Sequence, residues 1–396
     1  MSFSQTITAS QMRRINTSAI LELIRREGLI SRTEIAQKLG VSLSTVMRIV
    51  DELAEENFIQ PMGEAQSSGG RPRSLLRFNG TAHVVVGIDL GGANIFGAVS
   101  DLDGNILHEV SAEQHDTGGE ESYRRLVELI EELLTSPALS GREMRGIGVG
   151  APGVTLHQQG IVTWAPSLNW REFPLKARLT EHFGLPVIVD NDVNLAALGE
   201  LWFGLEQPVQ NLVLITIGTG IGAGIIIDGA LYRGAREAAG EIGYFLPGQE
   251  HLGKRYENFG AFESLASGTG VVERARRALA SQRNPDELDR LSAEDVFAAA
   301  RRGERWARGI VDETVDYLAI AVAGVSALLD PDLIVLGGVS SFADLLIGPV
   351  LQRIEGTVPV PPRLVASKID RRAVVMGTII GVLHHTTDYH VVRRFY

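Results

Sequence analysis

Over the first eighty residues the apolar positions recur at three- and four-residue intervals, whereas further along short unbroken apolar runs end at glycines. The first pattern is helical and the second belongs to buried strands. Ile20, Leu23 and Ile24 mark a helix from about Gln11 to Arg26, stopped at Glu27-Gly28. Ser31 followed by Glu34 is a capping box, opening a short helix that carries Ile35 and Leu39 and ends at Gly40. Ser42 caps a third helix whose Val46, Ile49, Val50 and Leu53 form one apolar stripe, leaving Leu43, Ser44, Thr45 and Arg48 at or near its exposed N-terminal half. Two helices joined at Gly40-Val41 make a helix-turn-helix, and the second offers the hydroxyls of Ser42, Ser44 and Thr45 and the Arg48 guanidinium, as a major-groove reader needs.

The residues from Met62 to Ser68 read as a polar, flexible stretch, followed by Gly69-Gly70-Arg71-Pro72-Arg73 and the strand-like Ser74 to Phe78. This is the pattern of a wing: glycines allow close approach, Pro72 stiffens the tip, and Arg71 and Arg73 suit phosphates or a narrow A·T-rich minor groove. A protein-contact module of three helices with an Arg-rich linker is the alternative, but helix, turn, cap and wing in that order favour DNA. The expected head is residues 1–80, a helical winged helix-turn-helix.

Beyond it, Val84 to Asp89 predicts a strand ending in a carboxylate, then Leu90-Gly91-Gly92 and a returning strand from Ile95 to Ser100. Similar units follow at Gly146 to Gly150, at Leu212 to Ile217 with its Gly218-Thr219-Gly220-Ile221-Gly222 turn, and at Leu333 to Leu336 before Gly337-Gly338. Helices from Ser122 to Leu134 and Glu304 to Leu329 alternate with them, so the body is α/β with more than one sheet. A strand, a glycine turn and a strand, repeated, predict two similar lobes around a cleft.

Charge sharpens the division. Of 37 basic and 48 acidic side chains, residues 1–80 hold 10 and 8, so a head of +2 rides on a body of −13. With 0 Cys there is neither a disulfide framework nor a thiolate metal site, and the 9 His form no tight ligand cluster. No apolar run is long enough for a membrane span and no leader pattern opens the chain, which makes the cytoplasm the expected compartment.

Several motifs in order carry a resemblance: Asp89-Leu90-Gly91-Gly92, Gly150-Ala151-Pro152-Gly153, Asn191-Asp192, Gly218 to Gly222, Ala239-Gly240-Glu241-Ile242-Gly243 and Leu336-Gly337-Gly338. Over nearly its entire length the chain resembles a transcriptional member of the ROK family, named for repressors, open reading frames and kinases. The resemblance implies an actin-like, ribonuclease H-like body of two lobes with a sugar-kinase fold. Lobe 1 would span 81–195 and be completed by a C-terminal helix at about 376–396; lobe 2, 196–375, would bind effector and mediate oligomerisation.

By the same resemblance Ser167, Asn191, Asp192, Glu241 and Glu263 would contact sugar hydroxyls, Asp192 standing where a kinase has its general base. An isolated Asn-Asp would read instead as a helix start favoured by the dipole. Trp164 and Trp170 are equally readable as packing or as pocket. Asp89, Gly91, Gly92, Gly218, Thr219 and Gly220 would be a vestigial phosphate site, because Ala93 and Asn94 replace the usual Thr and Lys. The family's zinc ligands would align with Tyr244, Lys254, Tyr256 and Ala261, none of which can hold zinc as that set does. Tyr244, Tyr256, Phe259 and Phe262 would pack that loop instead, and His251 would be a surface or loop residue.

No metal and no cofactor are therefore expected. The partners implied are operator DNA, a small sugar effector and a second copy of the chain, as a homodimer or tetramer, with no membrane. The function implied is sugar-responsive transcriptional regulation, most simply repression of carbohydrate uptake or catabolism genes. The alternatives are an ATP-dependent sugar kinase that also binds DNA, and a DNA-binding protein with a dead pocket regulated by a protein partner.

Overall fold

The computed structural model describes residues 8–65, 73–114, 118–256 and 260–387. The head runs α1 (Ala9–Glu27), β1 (Ile30–Ser31), α2 (Arg32–Leu39), α3 (Leu43–Glu55), β2 (Ile59–Ala65) and β3 (Arg73–Phe78), with strand order β1-β3-β2. Local chemistry sets the helix limits. The Glu34 N–H donates to the Ser31 hydroxyl at 3.3 Å while the Ser31 N–H donates to the Glu34 carboxylate at 2.9 Å. Gly40 then ends α2 at φ +66°, a backbone angle that glycine adopts without steric penalty. Val46, Ile49, Val50 and Leu53 are all buried, so the stripe read in the sequence closes the head.

One expectation fails. Residues 62–65 are not a flexible link but the second half of β2, paired with β3 as far as Ala65 opposite Arg73, with an irregularity between Pro61 and Glu64. Their polar composition hid a strand whose order comes from the backbone ladder. Arg71 lies outside the described residues, and of Arg73 only the backbone is placed.

The first half of the body comprises β4 (His83–Leu90), β5 (Asn94–Asp101), β6 (Ile106–Glu113), α4 (Gly119–Leu134), β7 (Glu143–Ala151), β8 (Val154–Leu156), β9 (Ile161–Ala165), β10 (Trp170–Phe173), α5 (Leu175–Phe183), β11 (Val187–Asn191) and α6 (Asp192–Gly199). The second half comprises β12 (Leu212–Ile217), β13 (Ile221–Ile227), β14 (Ala230–Leu231), α7 (Ala261–Ala266), α8 (Gly268–Leu279), α9 (Pro285–Asp289), α10 (Ala293–Arg302), α11 (Arg305–Leu329), β15 (Leu333–Gly337), α12 (Ala343–Ile354), β16 (Leu364–Ala366) and α13 (Ala373–Thr386).

Two five-stranded sheets result, β11-β7-β4-β5-β6 and β16-β15-β12-β13-β14, each an antiparallel meander extended by two parallel strands. The same order appears twice, so the body is two lobes built alike. A small sheet, β10-β9-β8, belongs to the first lobe.

The last helix of each half crosses to the other lobe: α6 packs on β12 and β13, and α13 packs on β4 and β7. The two helices lie along one another, and backbone meets backbone where they cross. A Cβ at Gly377 would run into the Leu195 carbonyl, and one at Gly199 into that of Ala373.

The head is not a separate body. Ile20, Ile24, Phe58 and Leu76 share one buried cluster with Val85 and Leu102 of the first lobe and with Met376, Ile379 and Leu383 of α13. Beyond Gly199, α6 continues as a single π-helical turn, Glu200–Gly204, whose Trp202 lies under the Arg25 guanidinium at 4.6 Å. At the same junction the buried His83 stacks on Phe58 and accepts a hydrogen bond from Arg145 at 3.1 Å. Burial and the Arg145 charge push the His83 pKa down to about 4, which keeps the ring neutral. No helix among the described residues is long and apolar enough to cross a membrane.

The helix crossing generates a stability prediction. Gly377→Val must separate α6 from α13, and overpacking of this kind costs about 1–3 kcal/mol. Urea unfolding should show a loss of that size, while an unchanged midpoint would mean that the two backbones do not touch.

Candidate functional site

Asp89, Gly150 and Asp190 stand side by side at the carboxyl ends of β4, β7 and β11, the edge of a parallel sheet at which ligands are bound. Asn191 caps α6: its side-chain oxygen accepts from the Asn194 N–H at 3.0 Å, and its amide donates to the Gly153 carbonyl at 2.9 Å. Asp192 occupies the first helical position, one oxygen accepting the Val193 N–H at 2.8 Å. The helix-start reading of this pair is thus met mainly by Asn191, and a carboxylate has acceptor capacity left for a hydroxyl.

The facing side comes from the second lobe. Gly240 adopts φ +90° and packs its backbone on Ala223, which places Glu241 at the cleft. Glu263, near the start of α7, accepts the Ile221 N–H at 3.1 Å and lies against Gly220 and Gly243. Asp192 feels the charges of Asp89 and Glu241, and Glu263 feels that of Glu241, so four carboxyls from both lobes share one region.

Burial and, for Asp192, the neighbouring Asp89 push Asp89 up to about 7 and Asp192 up to about 8; burial also raises Glu241 and Glu263. Arg371 partly offsets the rise at Asp89. Ser167 is exposed beside this region, its Cβ so close to Gly92 that a side chain there would collide with it. Asp192, Glu241 and Glu263 are thus coupled across the lobes, with Asn191 beside Asp192 and Ser167 against the Gly92 loop.

The two tryptophans differ. Trp170 is core: it is buried, stacks on Phe173 at 4.2 Å and donates its indole N–H to the Gly119 carbonyl at 2.8 Å. Trp164 is half-buried under the Arg171 guanidinium at 3.9 Å and hydrogen-bonds the Tyr244 hydroxyl.

At the glycine turns, the Gly218-Thr219-Gly220 segment sits on the start of α8. The Gly268 N–H donates to the Gly218 carbonyl at 2.8 Å, and the Thr269 hydroxyl to that of Thr219 at 2.8 Å. Gln114 holds the other glycine loop, its side-chain amide donating to the Gly91 carbonyl at 2.9 Å and its N–H to Ala93 at 2.7 Å. Ala93 and Asn94 are exposed. Gln114, Thr269 and Arg371 were not found from sequence, because each reaches the site from a distant segment.

Of the zinc-aligned positions, Tyr244 and Lys254 are exposed, Tyr256 is half-buried and Ala261 is buried. Among the described residues no cluster of three His, Cys, Asp or Glu side chains is placed to hold a metal ion. Phe262 is fully buried, with Phe245 edge-on to it at 6.2 Å; Phe259 lies outside the described residues. His251 is buried rather than at the surface, with Tyr256 and Glu250 on its two nitrogens, because the loop folds inward around it.

On the head, Ser42 caps α3 and its hydroxyl bonds those of Ser44 and Thr45 at 3.0 and 2.8 Å. Ser44, Met47 and Arg48 are exposed together with Leu43. Met47, one turn after Leu43 and off the buried stripe, is the groove-facing candidate that sequence reading missed; an apolar side chain there suits a thymine methyl.

A model described as the ROK family matches residues 85–384, and one for winged helix-turn-helix DNA-binding matches residues 13–60. The chain belongs to the ROK family. It is 31% identical to a xylose repressor of Caldicellulosiruptor bescii over 94% of this chain and 96% of that one, and 36% identical to a glucokinase of Halalkalibacterium halodurans over 75% and 92%. Among solved structures, a ROK family transcriptional regulator, a homolog of the Escherichia coli Mlc protein, superposes with TM-score 0.82 at 28% identity, covering 95% of this chain and 98% of that one. A ROK family glucokinase from Streptomyces griseus, in complex with glucose and AMPPNP, gives 0.65 at 28% identity over 75% and 98%. The kinases match the body, and the repressors match the head as well.

The raised carboxyls give a pH dependence. Asp89 and Asp192 hold protons more tightly folded than unfolded, so their stabilisation is complete below about pH 4 and is lost as pH climbs through about 7 and 8. Stability should fall between pH 5 and pH 8.5, and Asp89→Asn with Asp192→Asn should flatten the fall. Equal slopes in wild type and double variant, measured by urea unfolding across that range, would contradict the shared burial of the two acids.

Proposed function

We propose that this chain is a sugar-responsive repressor, with operator DNA read by the head and a sugar effector held between the lobes. One observation carries the reading: the carboxyl-bearing lobe junction and the DNA reader share the crossing helices, since α6 and α13 meet at that junction, α13 enters the buried cluster of the head, and the π turn that continues α6 sets Trp202 against Arg25 of α1. A ligand that prefers one lobe arrangement must then bias the head, and operator and sugar must oppose or favour one another by equal factors. The xylose repressors that match over nearly the full length support a sugar as the effector.

In this reading residues 1–80 bind DNA, 81–195 with the C-terminal helix form the first lobe, and 196–375 form the second, which also carries the oligomer contact. Two copies would set two α3 helices on a pseudo-palindromic operator in the cytoplasm, with Ser42, Ser44, Thr45 and Arg48 in the groove and Arg71 and Arg73 at the wing. Ser167, Asn191, Asp192, Glu241 and Glu263 would take sugar hydroxyls. A protein with a dead pocket would have no use for four carboxyls kept together at such electrostatic expense.

A second reading, a sugar kinase that also binds DNA, draws on the glucokinase relatives and on Asp192 in the position of a base. Ala93 and Asn94 oppose it, because neither residue itself supplies the hydroxyl or the cation that the usual pair presents to a transferring phosphate. The glycines at 91, 92, 218 and 220, with Asp89 and Thr219, would then be a relic of phosphate binding.

Gel-shift titration with pentoses, hexoses and disaccharides, with ATP turnover followed in parallel, tests both readings. An operator complex that responds to one sugar class without turnover is expected; turnover would install the kinase reading. Asp192→Asn should weaken the sugar response roughly tenfold, the worth of one charged hydrogen bond, and leave sugar-free operator affinity intact. Arg48→Ala should lose about 1–3 kcal/mol of operator preference, and an unaltered footprint would remove Arg48 from the reader.

A further inference from the structure

The sugar-site candidates sit on two lobes, and one charged chain joins the two sets. Arg233, in the loop after β14, puts both guanidinium nitrogens on the Asp190 carboxylate at 2.7 and 2.5 Å, and the Asp190 side chain is only 7% exposed. The Asp190 oxygen that accepts the 2.7 Å bond from Arg233 also accepts the Asn191 N–H at 2.7 Å, so the fork fixes the backbone that presents Asn191 and Asp192. On its other flank Arg233 faces Glu237 at 3.6 Å, and Glu237 bonds His157 of the β8–β9 turn at 3.0 Å.

The loop that carries Arg233 leads directly to Glu241. The Ala239 N–H closes it by donating to the Arg233 carbonyl at 3.0 Å, and Gly240 then anchors it on Ala223. Two links, Arg233 to Asp190 and Glu237 to His157, thus run from a second-lobe loop to the first lobe, on either side of the route to Glu241.

We infer that Arg233 is a positioning residue for the sugar site: its bidentate pair with Asp190 holds the Asn191–Asp192 corner of one lobe in register with the Glu241 loop of the other. The inference rests on the sugar reading above and deepens it. Fork geometry is what matters, since a lysine keeps the charge but cannot bond both carboxylate oxygens in one plane. Losing the register separates groups that must grip one ligand together, and misplacement of about 1 Å in such a constellation weakens it by orders of magnitude.

The test is calorimetry of full-length wild type and Arg233→Lys with D-xylose and D-glucose, alongside sugar-free operator affinity and the urea midpoint. Sugar affinity at least tenfold weaker in Arg233→Lys, with operator affinity and midpoint held, is expected. A purely structural role would move the midpoint and the operator affinity as well, and that result overturns the inference, as does equal sugar affinity in the two proteins. If wild type takes up neither sugar nor any of the panel above, the sugar reading falls and the inference with it. Should Arg233→Lys fail to fold, Glu237→Gln leaves the buried fork intact: threefold or greater weakening supports the register, and wild-type affinity overturns it.

Discussion

Everything in the body hangs on the contact between α6 and α13. Each helix is the last element of its half yet covers the sheet of the other half, so neither lobe has a closed core without its partner's helix. Gly199 and Gly377 let the two backbones meet directly, and a contact made of backbone has no side chains that could repack around a changed angle. Anything else packed on these helices is tied to the lobe junction.

The head is packed on them. Trp202 on the π turn that extends α6 meets Arg25 of α1, and Met376, Ile379 and Leu383 of α13 enter the same buried cluster as Ile20 and Phe58. A π turn at the end of a helix changes its register by one residue and recurs at functional sites. Here it turns two aromatic rings toward the DNA-binding head. The junction also buries a neutral His83 beside the Arg145 guanidinium, which stands over the Phe58 ring at 4.5 Å, so apolar packing and a cation–π contact together join head and body at that point.

At the cleft the opposite principle operates. Burial raises the proton affinity of Asp89, Asp192, Glu241 and Glu263, with Asp89 and Glu241 adding to the rise at Asp192 and Glu241 to that at Glu263, an arrangement that works against stability and is maintained by the fold around it. The chain matches repressors over nearly its full length and glucokinases over the body alone.

The sequence alone determined the elements: the capped helices of the head, the strands ending in glycine turns and the twofold repeat of the body, because capping, periodicity and glycine conformations act within a few residues. It also named the cleft candidates, through motifs. It misread residues 62–65, whose strand exists only through pairing with β3, and of its surface or loop reading of His251 the loop holds but not the exposure, because that loop folds inward. Nor could it find Gln114, Thr269, Arg371 or the Arg233–Asp190 pair. Those partners lie tens of residues apart in the chain and meet only when sheets, loops and crossing helices pack. Local propensities therefore wrote the parts of this protein, while burial and long-range pairing, which no short stretch encodes, decided how a cleft in its body is joined to the helix on its head.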